Sequence, residues 1–192
     1  NHELGIIEDG KYWVIAPGEQ AKLWKECLKN GVIYLGWNKI GDFRQYNSQK
    51  EFTQAIKMAW GHQHNPTNDG LTTYQFAYDI KPGDFIFAKK GRSLIIGIGR
   101  VISDYKYDEE RSDYPHYRDV EWIKTGEWKL PYQIAMKTLT DFTKYPDTVK
   151  LILEMIQSGQ TEQDVFPLNK KGEQLDVLKA REQIMEPYSI EE

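Results

Sequence analysis

The chain has 192 residues, 40% hydrophobic and 28% charged, which is the composition of a globular protein with a substantial core. No apolar run approaches the roughly 20 residues that a membrane helix needs, and no signal peptide opens the sequence, so we expect a cytoplasmic protein. The single cysteine, Cys27, excludes an internal disulfide, and its place on the apolar side of a predicted helix indicates a core residue rather than a nucleophile.

The net charge of −4 argues against a general nucleic-acid coat, but the charge is unevenly distributed. Residues 81–106 carry six Lys or Arg against two Asp, a local charge of +4. Residues 154–192 carry four basic against nine acidic residues, a local charge of −5. Such polarised charge permits an anion-binding face on an acidic protein. The six Trp and twelve Tyr are residue types that pack cores and also form stacking surfaces for bases.

The first half of the chain is predicted to alternate strands and helices: strands over 11–16 and 32–37, and helices over 19–30, 48–60 and a short one capped by Asp69. Gly31 is a suitable end for the first of these helices because glycine readily adopts the left-handed conformation of a helix terminus. Ser48 followed by Glu51 is a capping-box pattern, which predicts the start of the second helix.

A β-hairpin is predicted over residues 81–101. A Pro-Gly turn opens it, a Lys-Lys-Gly-Arg sequence at 89–92 forms its tip, and two glycines interrupt its second strand. Glycines inside a strand mark a bulge or a close approach by another backbone or a ligand. The hairpin is therefore either an ordinary core hairpin with a solvated turn or part of a small barrel that grips an anion.

The remainder of the chain is predicted to contain the following elements: strands over 117–124 and 133–136, a mostly helical segment over 138–157 that restarts at Pro146, and a charged helix over 172–185. The alternation of the first of these strands is typical of one buried face. Proline is favourable in the first turn of a helix, which places the restart at Pro146.

The residues offer little for catalysis. The close pair His62 and His64 lies in a Gly/Asn/Pro loop, and Asp69 is the one further ligand type at a suitable spacing, so a solvated loop is favoured over a metal site. His116 has no Ser or Cys nucleophile nearby in an activating context. The Gly97-Ile98-Gly99 sequence lies within a strand and no helix follows it, so it is not a dinucleotide-binding fingerprint.

Two tryptophans stand out for their positions. Trp37 ends a predicted strand directly after Gly36, and Trp122 follows Glu121 in a strand near the basic hairpin. Each alone is a core candidate, but together with the local +4 face they suggest a base held between aromatic planes. Reading a base in this way requires an unpaired or flipped nucleotide, at a cost of about a few kcal/mol. Stacking returns about 1–3 kcal/mol per base.

The order of these motifs resembles the EVE-type branch of PUA-like domains, which occur at the N-terminus of McrB-type restriction motor subunits. The resemblance covers roughly residues 11–145 and is carried by these runs: Tyr12-Trp13-Val14-Ile15, Gly36-Trp37, Lys81-Pro82-Gly83-Asp84, Ala88-Lys89-Lys90-Gly91, Gly97-Ile98-Gly99-Arg100-Val101, Asp104-Tyr105, Tyr114-Pro115-His116 and Val120-Glu121-Trp122. It implies an α+β fold, with a small twisted PUA-like β-barrel flanked by helices. The implied recognition domain spans 1–145, and a helical extension and linker toward an AAA+ domain spans 146–192.

EVE domains are similar to YTH domains, which hold a methylated base in an aromatic cage. The resemblance implies a non-catalytic reader that flips a modified base of double-stranded DNA into a pocket, without cofactor or metal. The pocket residues that it implies are Trp37, Trp122, Asn38, Asp42 and Tyr105. The phosphate contacts that it implies are Lys39, Arg44, Lys89, Lys90, Arg92 and His116. The Asn with which YTH domains read adenine falls near Pro17-Gly18 here, which leaves Glu19, Gln20 and Asn38 as substitutes.

The implied partners are an AAA+ motor domain in the same full-length chain and a McrC-like nuclease subunit, within a phage-defence restriction system. Three alternatives remain open at this point. The chain is an RNA-binding PUA-like module that reads modified RNA, a small hydrolase that uses His62, His64 and His116, or a domain that only docks the motor onto partners.

Overall fold

The computed structural model describes residues 10–159. The helix predicted over 172–185 and the part of the predicted extension and linker beyond residue 159 lie outside these residues. The described residues form two compact units. Unit 1 comprises 10–16, 85–99 and 122–159, and unit 2 comprises 17–84 and 100–121.

In chain order the strands are β1 (Tyr12–Ile15), β2 (Val32–Leu35), β3 (Phe85–Lys90), β4 (Leu94–Val101), β5 (Lys106–Tyr107), β6 (His116–Lys129) and β7 (Leu139–Asp141). The α-helices are α1 (Trp24–Asn30), α2 (Gln49–Trp60), α3 (Thr67–Tyr74) and α4 (Pro146–Ser158). Four short 3-10 turns lie at Glu19–Ala21, Asn38–Ile40, Phe43–Gln45 and Phe142–Lys144, and a π-helical turn lies at Gln75–Asp79. The predicted α+β class is confirmed.

Unit 1 is built on the fully buried strand β1. β1 runs parallel to β3, with Val14 opposite Phe87, and antiparallel to β7, with Val14 opposite Thr140. β4 lies beside β3 and joins it as the predicted hairpin, whose tip residue Gly91 has a φ of 67°. A strand with neighbours on both sides and a continuous apolar sequence is buried on both faces.

Helix α4 supplies the other half of the core of unit 1. It starts at Pro146, as predicted, and its apolar side chains pack in one cluster with residues from β1, β3 and β4. Val149 and Ile152 are among the buried residues of that cluster, together with Trp128. The domain boundary after residue 145 stays a prediction, and the helix beyond it shares its core with the strands of unit 1.

Two predictions in this region are wrong. Residues 133–136 form no strand. The backbone N–H of Ile134 donates one hydrogen bond to Arg92 O over 2.7 Å, whereas a strand needs a series of backbone hydrogen bonds to its neighbour. The last strand is instead β7, which lies within the segment 138–145 that was predicted as helical. There the Asp141 side chain accepts a hydrogen bond from Thr143 N over 3.0 Å, which starts a 3-10 turn rather than an α-helix.

In unit 2 the first helix is shorter than predicted. Gln20 and Ala21 have φ values of 53° and 58°, a left-handed conformation that an α-helix does not tolerate, so α1 begins at Trp24. Gly31 ends the helix at a φ of 63°, as predicted. Cys27 lies buried on the inner face of α1, which confirms its assignment to the core, and burial raises the pKa of its thiol to about 12.

Helix α2 begins with the predicted cap, in which Ser48 Oγ accepts a hydrogen bond from Glu51 N over 3.2 Å. Helix α3 begins at Thr67, two residues before the predicted cap at Asp69. A Cβ atom at Gly70 would lie 1.9 Å from Thr53 Oγ1 of α2. Glycine is therefore required at this position for the two helices to approach each other.

The strands of unit 2 fix the loops that follow them. β2 pairs antiparallel with β6, and β5, which the sequence analysis did not predict, pairs with the same strand. Arg118 of β6 is buried and donates hydrogen bonds to the carbonyls of Phe76, Ala77 and Ser103 over 2.9–3.0 Å. Burial lowers the pKa of its guanidinium to about 10. None of the helices within residues 10–159 is long and apolar enough to cross a bilayer.

Candidate nucleic-acid interface

Trp37 occupies an unusual backbone conformation. It follows β2 and Gly36, and its φ and ψ of 62° and 45° place it in the left-handed region at the start of a 3-10 turn. Its side chain is partly exposed. A bulky L-residue in this region is an outlier that costs about 1–3 kcal/mol and persists only where the surroundings hold it. Such outliers concentrate at binding sites.

A buried chain of hydrogen bonds holds the backbone of Trp37. His116 Nε2 lies 3.2 Å from the carbonyl oxygen of Trp37, and His116 Nδ1 lies 2.6 Å from the hydroxyl of Tyr105. The same hydroxyl accepts a hydrogen bond from Phe43 N over 3.0 Å. We call this chain of hydrogen bonds, which joins Phe43 N, the Tyr105 hydroxyl, the His116 ring and Trp37 O, the Trp37 relay.

The donors and acceptors assign the tautomer of His116. A carbonyl oxygen only accepts, so Nε2 carries the proton and Nδ1 accepts from Tyr105. Burial lowers the pKa of His116 to about 4, which keeps the ring neutral at neutral pH. Phe43 stacks on the imidazole with ring centroids 3.5 Å apart, so the ring has a fixed plane as well as a fixed tautomer.

This geometry revises two predicted roles. Tyr105 was predicted in the base pocket and His116 at a phosphate, but their exposed fractions are 6% and 0%. Neither side chain presents a surface to a ligand in this structure. Both act behind the surface, where they support the backbone of Trp37.

The predicted contacts just after Trp37 lie on the surface of unit 2. Asn38 is exposed, and its Nδ2 donates to Ser112 O over 2.8 Å. Both oxygens of Asp42 bind Arg44, the shortest contact being 2.6 Å from Nη2 to Oδ2. The hydrogen bonds from Arg44 lower the pKa of the Asp42 carboxyl. Lys39 is exposed, with Nζ 5.1 Å from the ring centroid of Trp60.

The predicted contacts in unit 1 differ in exposure. Lys90 is exposed at the hairpin tip, whereas Lys89 is buried and donates to Ala135 O over 3.0 Å. Burial lowers the pKa of Lys89 to about 8. Arg92 Nε donates to Ile134 O over 3.0 Å. Burial therefore removes Lys89 from the predicted phosphate contacts, because its ammonium group is held inside the unit.

Trp122 is partly buried in the segment of β6 that belongs to unit 1. The cage that the sequence analysis assigned to Trp37 and Trp122 stays a prediction.

One aromatic residue of unit 2, Tyr114, has an unusual backbone conformation and was not among the predicted pocket residues. Tyr114 has a φ of 51°, and its carbonyl accepts a hydrogen bond from Arg111 Nε over 3.0 Å. Tyr114 precedes Pro115, and a residue before proline favours extended backbone, so no sequence signal marked this conformation. Arg111 also pairs with Glu26, with 2.5 Å between Nη1 and Oε1.

A family model described as a domain of unknown function, DUF8426, matches residues 13–146. The chain belongs to this family. No curated protein sequence matches this DUF8426 chain significantly.

Several solved YTH domains are similar in structure to the DUF8426 chain. One is the YTH domain of Zygosaccharomyces rouxii MRB1 in complex with N6-methyladenosine RNA, at 13% identity and a TM-score of 0.46, covering 84% of this chain and 95% of that one. Another is the Mmi1 YTH domain in complex with RNA, at 13% identity and a TM-score of 0.42, covering 83% and 88%. Because these TM-scores lie below 0.5, we assign no role to this chain from them.

Around Trp37 the DUF8426 chain offers groups for stacking and hydrogen bonding. His62 and His64 are exposed in the loop that follows α2. Between residues 10 and 159, no three or more His, Cys, Asp or Glu side chains are grouped so that they could hold a metal ion. The surface around Trp37 combines a partly exposed indole, an exposed amide and two exposed cations, Lys39 and Arg44. Flat anionic ligands such as nucleotides match that chemistry.

Proposed function

We propose that this DUF8426 domain is a non-catalytic reader of a modified base in DNA. The observation that carries the proposal is Trp37, whose strained backbone is held by the Trp37 relay while its indole stays partly exposed. A partly exposed indole with only two rotatable side-chain bonds, carried on a held backbone, is a stacking surface that loses little side-chain entropy when a base binds. Stacking of one base contributes about 1–3 kcal/mol.

Asn38 gives this surface a means of reading a base edge. Its Nδ2 is engaged by Ser112 O, and no donor within the described part of the chain contacts its Oδ1. That oxygen accepts from an exocyclic amino group, which adenine, cytosine and guanine carry and thymine lacks. The proposed ligand is a methylated base that keeps such a donor, as N6-methyladenine, N4-methylcytosine and 5-methylcytosine do, flipped out of the duplex at a cost of about a few kcal/mol.

Exposed cations supply the part of the affinity that does not depend on sequence. Lys39 and Arg44 are exposed on the same turn region, and Lys90 is exposed at the hairpin tip. Contacts of this kind fix the position of a nucleic acid on the protein, while base contacts select it. Trp122, which the resemblance implies as a second stacking surface, is included in the proposal.

The test is a panel of duplexes that carry N6-methyladenine, N4-methylcytosine, 5-methylcytosine or no modification, measured by fluorescence anisotropy at one fixed salt concentration. One modified duplex is expected to bind more tightly than its unmodified match. Trp122→Ala is expected to lose that preference, and Met58→Ala, which removes an exposed apolar side chain from α2, is expected to keep it. Equal affinity for every duplex would overturn the proposal.

Reading of modified RNA is the alternative. The surface around Trp37 contains no feature that requires DNA, so matched single-stranded RNA and DNA oligonucleotides with the same modified base form a second arm of the experiment. Tighter binding of the RNA would replace DNA with RNA in the proposal.

The proposed setting is a modification-dependent restriction complex. It rests on the resemblance to the recognition domains of McrB-type motors, and it includes an AAA+ domain in the full-length protein and a McrC-like nuclease. NTP hydrolysis by the full-length protein, and cleavage in the presence of that nuclease, are expected to require DNA that carries the modified base. Identical rates with unmodified DNA would contradict this setting.

A further inference from the structure

The strained backbone positions of unit 2 lie together. In the described part of the chain, the non-glycine residues with positive φ are Gln20, Ala21, Trp37 and Tyr114. Lys22, which directly follows Gln20 and Ala21 in the chain, places Nζ 5.1 Å from the ring centroid of Tyr114. Thus the loop after β1 contacts the loop that precedes β6.

The loop before β6 also contacts the turn that carries Trp37. A Cβ atom built at Gly36 would lie 3.5 Å from Cε1 of Tyr114, so the ring of Tyr114 packs against the residue that precedes Trp37. Asn38 Nδ2 donates to Ser112 O over 2.8 Å between the same two segments. Trp37 and Tyr114 are therefore neighbouring aromatic residues, because the ring of Tyr114 contacts Gly36 and Trp37 follows Gly36 in the chain.

The backbone of Tyr114 is held in the same manner as that of Trp37. Its carbonyl accepts from Arg111 Nε over 3.0 Å, as the carbonyl of Trp37 accepts from His116. Arg111 is itself fixed, because its guanidinium lies 4.0 Å from the ring centroid of Tyr34 and pairs with Glu26. A left-handed tyrosine that is held by its surroundings is the kind of strain that concentrates at binding sites.

The chemistry of the pair formed by Tyr114 and Lys22 matches a nucleotide. The tyrosine ring is partly exposed and the exposed Lys22 places its ammonium group over that ring, so a base that stacks on this face takes the place of the ammonium, which is then free to bind the adjoining phosphate. A base stacks on an aromatic ring, and a phosphate binds an ammonium group.

We propose that Tyr114 and Lys22 bind the nucleotide that is adjacent to the modified base, Tyr114 through its base and Lys22 through its phosphate. This inference rests on the proposed function, because it places the modified base at Trp37. It adds a specific consequence, which is that the chain reads a short unpaired stretch rather than an isolated base.

The experiment compares two probes by isothermal titration calorimetry: N6-methyl-2′-deoxyadenosine and a single-stranded deoxytrinucleotide with N6-methyladenine at its centre. If another modified base binds more tightly in the duplex panel described above, that base takes the place of N6-methyladenine in both probes. The wild-type chain is expected to bind the trinucleotide at least about tenfold more tightly than the nucleoside, because one further base stacks. Trp37→Ala is expected to weaken both probes alike.

Tyr114→Gly removes the ring and suits the positive φ, and the relief of backbone strain offsets part of the packing lost at Gly36, so the variant is expected to stay folded, which its urea unfolding curve verifies. It is expected to lose most of the advantage of the trinucleotide while its affinity for the nucleoside stays unchanged. Tyr114→Phe keeps the ring and is expected to keep that advantage. The inference would be overturned if Tyr114→Gly kept the full ratio of trinucleotide to nucleoside affinity, or if it weakened the binding of both probes by the same factor.

Lys22→Gln tests the phosphate contact. The slope of log affinity against log salt for the trinucleotide is expected to become shallower by about 0.7, the value for one phosphate contact on a single strand. Lys29→Gln, which removes an exposed lysine from the end of α1, is the matched control and is expected to leave the slope unchanged. An unchanged slope in Lys22→Gln would remove Lys22 from the site. If the wild-type chain binds neither probe and no duplex of the panel, the proposed function itself fails.

Discussion

His116 Nε2 donates a hydrogen bond over 3.2 Å to the carbonyl oxygen of Trp37, a residue 79 positions earlier in the chain. The donor is a buried neutral imidazole and the acceptor belongs to a strained, partly exposed tryptophan. The contact ties the start of β6 to the turn after β2, and the pairing of those strands places His116 opposite Leu35. The turn that carries Trp37 is thus held by the interior of unit 2.

The first prediction concerns acid stability. Burial lowers the pKa of His116 from 6.5 to about 4, so the unfolded chain takes up a proton at a higher pH than the folded chain. The contribution of His116 is therefore complete above pH 6.5 and is lost as the pH falls toward 4, by up to about 3 kcal/mol. Urea unfolding at pH 7 and pH 4.5 measures this loss. His116→Gln keeps a donor near Trp37 O and is expected to lose less stability over the same interval. An identical pH dependence in the variant would show that His116 does not titrate in this way.

The second prediction concerns the backbone strain at Trp37. Because φ is 62° at this position, glycine adopts the conformation freely and alanine does not. Trp37→Gly is therefore expected to be more stable than Trp37→Ala by about 1–2 kcal/mol in urea unfolding. The opposite order is expected at an ordinary position, so a less stable glycine variant would mean that the left-handed conformation is not maintained in solution.

The third prediction separates the neighbouring lysines of the hairpin tip. Burial lowers the pKa of Lys89 from 10.5 to about 8. Between these pH values the unfolded chain therefore keeps a proton on Lys89 that the folded chain has lost. The stability of the wild-type chain is therefore expected to rise from pH 8 to pH 10.5 relative to Lys89→Met, by up to about 3 kcal/mol. Thermal unfolding across this range measures the difference.

DNA binding provides the matched comparison for the hairpin tip. Lys90→Gln is expected to weaken binding of all sequences alike with a shallower salt dependence, and Lys89→Met to leave the salt slope unchanged, because only Lys90 is exposed. The reverse result would mean that Lys89 leaves the interior when DNA binds.

The fourth prediction concerns Arg44. Its ion pair with Asp42 is solvent-exposed, with side-chain exposures of 63% and 32%, so Arg44→Gln is expected to change the free energy of unfolding by less than about 1 kcal/mol. Affinity is expected to fall for modified and unmodified DNA alike, since phosphate contacts do not select bases. Lys150→Gln removes one positive charge from α4 of unit 1, as Arg44→Gln does from unit 2, and is the matched control for the change in net charge. A selective loss for the modified duplex would instead place Arg44 at the base.

Local signals in the sequence were sufficient for several elements. The capping box at Ser48, the glycine at residue 31 and the proline at 146 each mark a helix end through their own backbone chemistry, and each lies where it was predicted. The hairpin was predictable for the same reason. These signals act within a few residues, and sequence patterns report such effects directly.

Effects that depend on distant residues were not predictable. The basic run at the hairpin tip does not show that Lys89 points inward to Ala135 O while Lys90 points outward. The sequence near His116 likewise contains no sign that this residue supports Trp37, because their contact depends on the pairing of β2 with β6. Tertiary contacts therefore decide which of the candidate site residues are exposed.

The central claim is that Trp37 selects the modified base. The most direct measurement is the ratio of dissociation constants for unmodified and modified versions of one oligonucleotide, for the wild-type chain and for Trp37→Gly, which removes the indole without straining the backbone. The account predicts that the ratio falls by about fivefold or more in the variant, toward a value of about one, because at least about 1 kcal/mol of stacking is lost. A ratio that is the same in both proteins would contradict it.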